Sequence, residues 1–330
     1  MTEEGGPITR HPLPVSCHAP GKCIVFGEHS VVHGGPELLF AVDLYTQVVV
    51  RSAATFSLNA DPNAAEAHPY FRSTLAQRWV GGQPFEVRST SRIPRGAGLG
   101  SSAAFCSALV GALSAVQGGI DRAGLAQASF DVERGAQGVG SPGDTSAAVA
   151  GGFVTVNSPG TDPLWTVRSE GNRWDVRRVS DPGWVWVVAH SGIPRATGDA
   201  VRAVGQRLAQ ADGPEILRDF ARVASDGIRA VEAGDRKSVA ELMGRNQELL
   251  RTVGVSHPRL EALLEAAKPA AEGAKLTGAG AGGSIVVLPR AGQEVDLVRR
   301  LARAGGLPFV VRPSVQGASL IREPGAGTAP

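Results

Sequence analysis

The stretch PRGAGLGSSAA, Pro94 to Ala104, constrains this chain more than any other segment. It follows FEVRSTSRI, an alternating run that reads as a strand. It precedes SSAAFCSALVGALSAVQGG, which reads as a helix: a Ser at the start can cap it, Ala and Leu fill it, and Gly118-Gly119 ends it. Glycine loses more conformational freedom on folding than any other residue, so Gly96, Gly98 and Gly100 at a helix entry need a reason. Two readings fit. One is a tight turn packed with Ala. The other is a loop whose N–H groups face a phosphate, with the helix start adding partial positive charge. The stretch is not a Walker A loop, because no Gly-Lys-Ser/Thr closes it. Nor is it a dinucleotide fingerprint, because the third glycine lacks the right spacing. On the phosphate reading, the hydroxyls of Ser101 and Ser102 would bond phosphate oxygens or hold Mg²⁺.

A chain of 330 residues with 42% apolar content suits two domains with real cores. Its 33 Lys and Arg nearly balance 31 Asp and Glu, so no nucleic-acid or membrane partner is demanded. Cys17, Cys23 and Cys106 are too few for a disulfide framework and point to a reducing compartment. No apolar run reaches transmembrane length, and MTEEGGPITRHPLP lacks the apolar segment of a signal peptide. A cytoplasmic protein is expected. Residues 1–14 read as a loose arm and 323–330 as a frayed tail. Between them, residues 15–185 are rich in strands, with two central helices. Residues 186–322 open on the apolar strand WVWVVAHS, continue in long amphipathic helices, and end in a strand pair expected to close that domain.

Other candidates for chemistry lie outside the glycine loop. Glu133 falls on a helix and Asp144 in the loop GSPGDTS. Phosphoryl transfer uses carboxylates of this kind, one with Mg²⁺ and one near the attacking hydroxyl. Taken alone, Asp144 also fits a helix N-cap and Glu133 an exposed helix charge. In APGKCIVFGEHSVVHG, Lys22 follows a Pro-Gly turn, and Glu28 and His29 stand past the end of an apolar strand. Charged groups clustered at a strand end read as a ligand site. His29 and His33 have the spacing of a helical zinc pair, but Val31-Val32 and Gly34-Gly35 argue against a helix, and no third ligand is evident.

Together these segments resemble the GHMP kinases. PRGAGLGSSAA looks like the second motif of that family, KLTGAGAGGSIVVL like its third and APGKCIVFGEHSVVHGG like its first. GEHSVVHG resembles the mevalonate kinase branch, and ERGAQGVGSPGDTSAAVAGG its archaeal type. The resemblance spans roughly residues 16–318. It implies an α+β fold of two domains, the first like ribosomal protein S5 domain 2 and the second a ferredoxin-like α/β sandwich. It also implies ATP- and Mg²⁺-dependent phosphorylation of mevalonate to 5-phosphomevalonate. Asp144 matches the catalytic aspartate and Lys22 its paired lysine. Ser102 and Glu133 match the Mg²⁺ ligands. Pro94, Gly96, Ala97, Gly98, Leu99, Gly100, Ser101 and Ser102 match the ATP phosphate loop. Glu28, His29, Arg195, Thr197, Gly278 and Ala279 match positions around the substrate. A homodimer is a family-level expectation.

The chain departs from the family pattern at several places. After VVHGG the family usually has small residues, where this chain has Glu37, Leu38, Leu39 and Phe40, and Tyr45 stands where Arg is common. QGVGSPGDT replaces the HGNPSGVD of many mevalonate kinases, and Phe105 follows SSAA. These residues would reshape the pocket and bear on the substrate more than on the reaction. A sibling kinase for another hydroxy acid or a phosphorylated intermediate is the alternative enzyme, with Arg92 or Arg95 supplying the further cation. A non-catalytic ligand sensor is the alternative outside catalysis.

Overall fold

The computed structural model describes residues 11–160, 162–194 and 197–321. The strands of the first sheet are β1 (Val15–Phe26), β2 (Glu37–Ser52), β3 (Ser57–Leu58), β4 (Phe85–Ser91), β5 (Phe153–Val156), β6 (Trp165–Ser169) and β7 (Asn172–Val179). Those of the second sheet are β8 (Trp186–His190), β9 (Ala271–Thr277), β10 (Ser284–Pro289) and β11 (Leu307–Val311), and β12 (Ser319–Ile321) is the eighth strand of the first sheet. The helices are α1 (Pro62–Ala67), α2 (Pro69–Arg78), α3 (Ser101–Gln117), α4 (Arg122–Gln137), α5 (Gly143–Ala150), α6 (Thr197–Leu208), α7 (Gly213–Glu232), α8 (Arg236–Thr252), α9 (Pro258–Ala267) and α10 (Glu294–Arg303).

The first sheet is eight-stranded in the order β12-β1-β2-β5-β7-β6, with β4 paired to β2 and β3. Its pairings are antiparallel except β3 with β4. β1 and β2 form its long central hairpin, running from Val15↔Val50 to Phe26↔Leu38. α3 lies across both strands, and α4 and α5 pack against α3. Ala, Ser and Gly fill much of α3, so its backbone sits close to the sheet; every residue from Ala103 to Ala115 is buried.

The second sheet is four-stranded in the order β11-β8-β10-β9, all antiparallel. Its strands and helices follow the β-α-β-β-α-β plan of ferredoxin-like folds, with several helices in the first crossover. β8 and β10 are buried on both faces. Trp186, Val188, Val286 and Leu288 join the core of the first sheet, while Val187, Ala189, Ile285 and Val287 join the core under α9 and α10. This explains the unbroken apolar runs in both strands. Phe40 stacks on Trp186 with ring centroids 5.4 Å apart, so the two sheets share one hydrophobic interior.

One expectation fails at the chain's end. The closing strand pair is divided between the sheets: β11 flanks β8, but β12 pairs with β1, from Ser16↔Ile321 to His18↔Ser319. The open edge of β1 offers unpaired backbone groups, and a three-residue strand is enough to cover it. The arm also begins to engage before its predicted end. The His11 backbone N–H donates to the Ala115 carbonyl at 2.9 Å. Residues 1–10 of the arm and the tail from 323 lie outside the described residues.

Candidate active site

Gly96, Gly98 and Gly100 all have positive φ, at 69°, 79° and 71°. Alternate residues in the left-handed region turn the chain sharply, and L side chains are disfavoured at each. Gly100 is the N-cap of α3, and a Cβ there would stand 2.8 Å from Lys22 Cγ. The expected serine cap is not formed. No side chain caps the first turn, and the Ser102 hydroxyl instead donates to Glu133 Oε1 on α4 at 2.6 Å. Glu133 holds that hydroxyl in the side-chain direction, which leaves the helix start to the cleft. Pro94, Gly96, Gly98, Gly100, Ser101 and Ser102 line this cleft of about 490 Å³, together with Arg95, Tyr70, Phe105 and Asp144. The side chains of Ala97 and Leu99 point into the core instead. Their carbonyls anchor the loop: Ala97 accepts from Ser284 Oγ at 2.7 Å, and Leu99 from the Lys22 backbone at 2.9 Å.

Lys22 reaches the loop from β1. Its side chain is 1% exposed, and its ammonium lies 3.1 Å from Asp144 Oδ1 and 3.1 Å from the Gly98 carbonyl. A buried ammonium is tolerable only when paired and hydrogen-bonded, and these two contacts supply both. Asp144 sits in the first turn of α5 and keeps 28% of its side chain exposed, so it faces ligand space. It lines the glycine-loop cleft and also an inner cavity of about 100 Å³. Burial, and then the charge of Asp144, push the Glu133 carboxyl up to about 7, against the hydrogen bond from Ser102. Glu133 is therefore a buried acid, not the exposed helix charge that its sequence position also allowed.

The inner cavity is lined by Lys22, Glu28, His29, Glu37, Glu133, Arg134, Ser141, Asp144, Gly278 and Ala279 among others. Glu28, His29, Gly278 and Ala279, which the resemblance puts around the substrate, thus share one cavity. His29 Nε2 is 3.1 Å from the Ala279 carbonyl, which ties the turn after β1 to the glycine turn after β9. Thr277 reinforces that tie: its hydroxyl donates to the Ile24 carbonyl and accepts from the Ile24 N–H, each at 3.0 Å. Arg195 lies outside the described residues, and of Thr197 only its place at the start of α6 is described. His33 ends a short 3-10 turn, Val31–His33, and lines neither cavity nor cleft. Among the described residues no cluster of three or more His, Cys, Asp or Glu could hold a metal by itself.

Sequence reasoning missed Lys275. It is fully buried on β9, and its ammonium pairs with Glu28 Oε1 and donates to the Leu276 carbonyl at 2.7 Å. The signal was present as a lone lysine inside the apolar run AKLTGAG. Gln137 was also missed; it donates to Glu133 Oε1 and to the Tyr70 hydroxyl, each at 3.1 Å. The departures after Gly35 separate in space. Leu38, Leu39 and Phe40 are fully buried core residues, and Tyr45 stacks on His18 and bonds Ser314 Oγ. Only Glu37 of that group lines the inner cavity.

Two subsites that share one wall suit a reaction between two ligands, one of them anionic. Residues 65–152 match the family described as GHMP kinases N terminal domain, and residues 228–306 match GHMP kinases C terminal. The curated mevalonate kinase of Archaeoglobus fulgidus is 30% identical over 280 residues, covering 81% of this chain and 89% of that protein. The chain belongs to the GHMP kinases, a family that uses ATP as phosphoryl donor. Among solved structures, L. major mevalonate kinase in complex with R-mevalonate has a TM-score of 0.76 at 23% identity, covering 94% of this chain and 99% of that one. Streptococcus pneumoniae phosphomevalonate kinase in complex with phosphomevalonate and AMPPNP has a TM-score of 0.72 at 19% identity, covering 90% and 99%. At these identities the likeness is one of fold.

Proposed function

We propose that this protein phosphorylates the primary hydroxyl of mevalonate with ATP to give 5-phosphomevalonate. The observation that carries the reading is the Lys22–Asp144 pair, 3.1 Å apart, in the wall shared by cleft and cavity. ATP would rest its phosphates on the N–H groups of the glycine loop and the start of α3. The acceptor would lie among Glu28, His29, Gly278 and Ala279. Asp144 then orients the acceptor hydroxyl and takes its proton, and Lys22 balances charge on the reacting oxygens. Positioning and electrostatics of this kind do most of the work in a loose phosphoryl transition state.

The Mg²⁺ expected with ATP fits the residues present. Ser102 and Glu133 give one hydroxyl and one carboxylate, already 2.6 Å apart. So small a protein donor set suits an ion that brings phosphate oxygens and waters as its other ligands. Bound there, Mg²⁺ would screen the phosphate charge.

Mevalonate is favoured over a phosphorylated acceptor by the cations available. Arg95 lines the nucleotide cleft, and neither Arg92 nor Arg95 lines the inner cavity. Among the described residues that line it, Lys22 is paired with Asp144 and Arg134 with Glu170. The identity of 30% to a curated mevalonate kinase supports the same choice. Free, buried Cys17, Cys23 and Cys106 agree with work in the reducing cytoplasm. The test is ADP release with ATP and Mg²⁺, offering mevalonate, phosphomevalonate, homoserine and galactose in parallel. Turnover on mevalonate alone is expected. Turnover on another acceptor only would replace the substrate, and nucleotide binding without turnover on any would make the chain a sensor.

A further inference from the structure

Glu37 is 2% exposed yet lines the acceptor cavity, an unusual position for a carboxyl that forms no ion pair among the described residues. It begins β2, paired across to Val156 on β5, so its backbone is fixed by the sheet. Two glycines make room for it. A Cβ on Gly27 would stand 2.6 Å from Glu37 Cα, and a Cβ on Gly143 would stand 2.2 Å from Glu37 Oε2. Gly143 precedes Asp144, so the Glu37 carboxyl packs against the turn that carries the proposed catalytic group. Among the described residues it accepts one hydrogen bond, from Ser141 Oγ at a long 3.5 Å. Buried polar groups are normally well satisfied, so a carboxyl left this loosely bonded beside a ligand cavity is a binding group in search of a partner.

The surroundings state what that partner is. Asp144 on α5 and Glu28 after β1 face Glu37 with negative charge, and Lys22 on β1 faces it with positive charge. Burial, and then Asp144, push the Glu37 carboxyl well above the usual carboxylate range, against Lys22. Protonated, a carboxyl presents one O–H donor and one carbonyl acceptor; ionised, it accepts from a hydroxyl. A neutral alcohol complements both. A second anion would meet the charges of Asp144 and Glu28.

We propose that Glu37 is a specificity-determining residue whose carboxyl hydrogen-bonds an uncharged hydroxyl of the acceptor other than the one that receives the phosphoryl group. In mevalonate this is the tertiary hydroxyl. The inference rests on the mevalonate reading and adds to it the group that distinguishes mevalonate from a plain hydroxy acid. A site built to hydrogen-bond a hydroxyl rejects the analogue that lacks it, because its own polar group is then left unpaired.

The test compares kcat/KM for mevalonate and for 5-hydroxy-3-methylpentanoate, which lacks only the tertiary hydroxyl, in wild type, Glu37→Gln and Glu37→Ala. Wild type should prefer mevalonate by about a hundredfold or more. Glu37→Gln, which keeps a donor and an acceptor, should retain most of that preference. Glu37→Ala should bring the ratio to within about threefold, mainly through KM for mevalonate. Glu37→Leu fills the same space without a polar group and carries the test if the alanine variant folds poorly. A preference that survives in the alanine and leucine variants, or is absent from wild type, overturns the inference and leaves the mevalonate reading standing. Wild type silent on mevalonate but active on another acceptor overturns the mevalonate reading, and the role given to Glu37 with it.

Discussion

At the scale of single residues, each of the site's two buried lysines has one carboxylate partner. Lys22 has Asp144, and Lys275 has Glu28. Asp144→Asn keeps the shape of the pair but removes the charge and the proton acceptor. It should lower kcat by about two to four orders of magnitude with the fold intact, read as ADP release beside an unchanged circular dichroism spectrum. Gly143→Ala is a second residue-scale case, since its new Cβ would fall 2.2 Å from Glu37 Oε2. It should destabilise the protein by about 1–3 kcal/mol, and Glu37→Ala in the same chain should recover most of that loss in urea unfolding. Additive losses in the double variant would mean that the two residues do not share the strain. Lys22, Glu28, His29 and Asp144 were legible in the sequence because their motifs are local. Lys275 was not, because its partner is 247 positions away. Glu37 was legible as a pocket residue, but Leu38, Leu39 and Phe40, grouped with it, belong to the core, because the run itself does not show where the cavity wall ends.

At the scale of elements, the glycine loop is held from outside as much as from within. Ser284 at the start of β10 donates to the Ala97 carbonyl, and the Thr277 hydroxyl at the end of β9 clasps the backbone of β1. The second sheet thus braces a loop that belongs to the first. Ser284→Ala leaves the Ala97 carbonyl buried without that donor, a loss of about 1–3 kcal/mol. Because the loop is the phosphate seat, the variant should raise KM for ATP several-fold while KM for the acceptor stays near wild type. Equal changes in both would show that the brace serves the whole site. Helices α2, α3 and α4 and strand β8 were readable from period and punctuation. The α3 cap was not: Ser101 and Ser102 look like caps, but Gly100 takes that position and Ser102 is drawn to Glu133. β12 was assigned to the wrong sheet, because three residues carry no pattern that names a partner about 300 positions earlier.

At the scale of the whole molecule, the α+β plan in two sheets was legible because each half has its own rhythm: short alternating strands first, long amphipathic helices after residue 190. What no local pattern announces is that the sheets share one interior through Phe40 and Trp186. Global stability also records the site. In the ligand-free protein the Glu133 carboxyl is raised from the ordinary carboxylate value to about 7 by burial. Between those two values the unfolded chain has released a proton that the folded protein keeps, so stability falls as pH rises through that window. The contribution is about 3 kcal/mol across the window. Glu133→Gln should flatten the fall in Tm between pH 4.5 and 7; a slope as steep as wild type would place the titration elsewhere.

The central claim is that the Lys22–Asp144 wall passes the γ-phosphoryl group of ATP to the primary hydroxyl of mevalonate. The most direct measurement is proton-coupled phosphorus NMR of the product formed from ATP, Mg²⁺ and mevalonate by wild type and by Asp144→Asn. A phosphate ester on the CH₂ group gives a triplet, since two protons couple to the phosphorus. The expected result is that triplet from wild type and none from Asp144→Asn over the same time. A singlet, which marks the ester of the tertiary hydroxyl, or equal product from both proteins, would contradict the geometry proposed for the site.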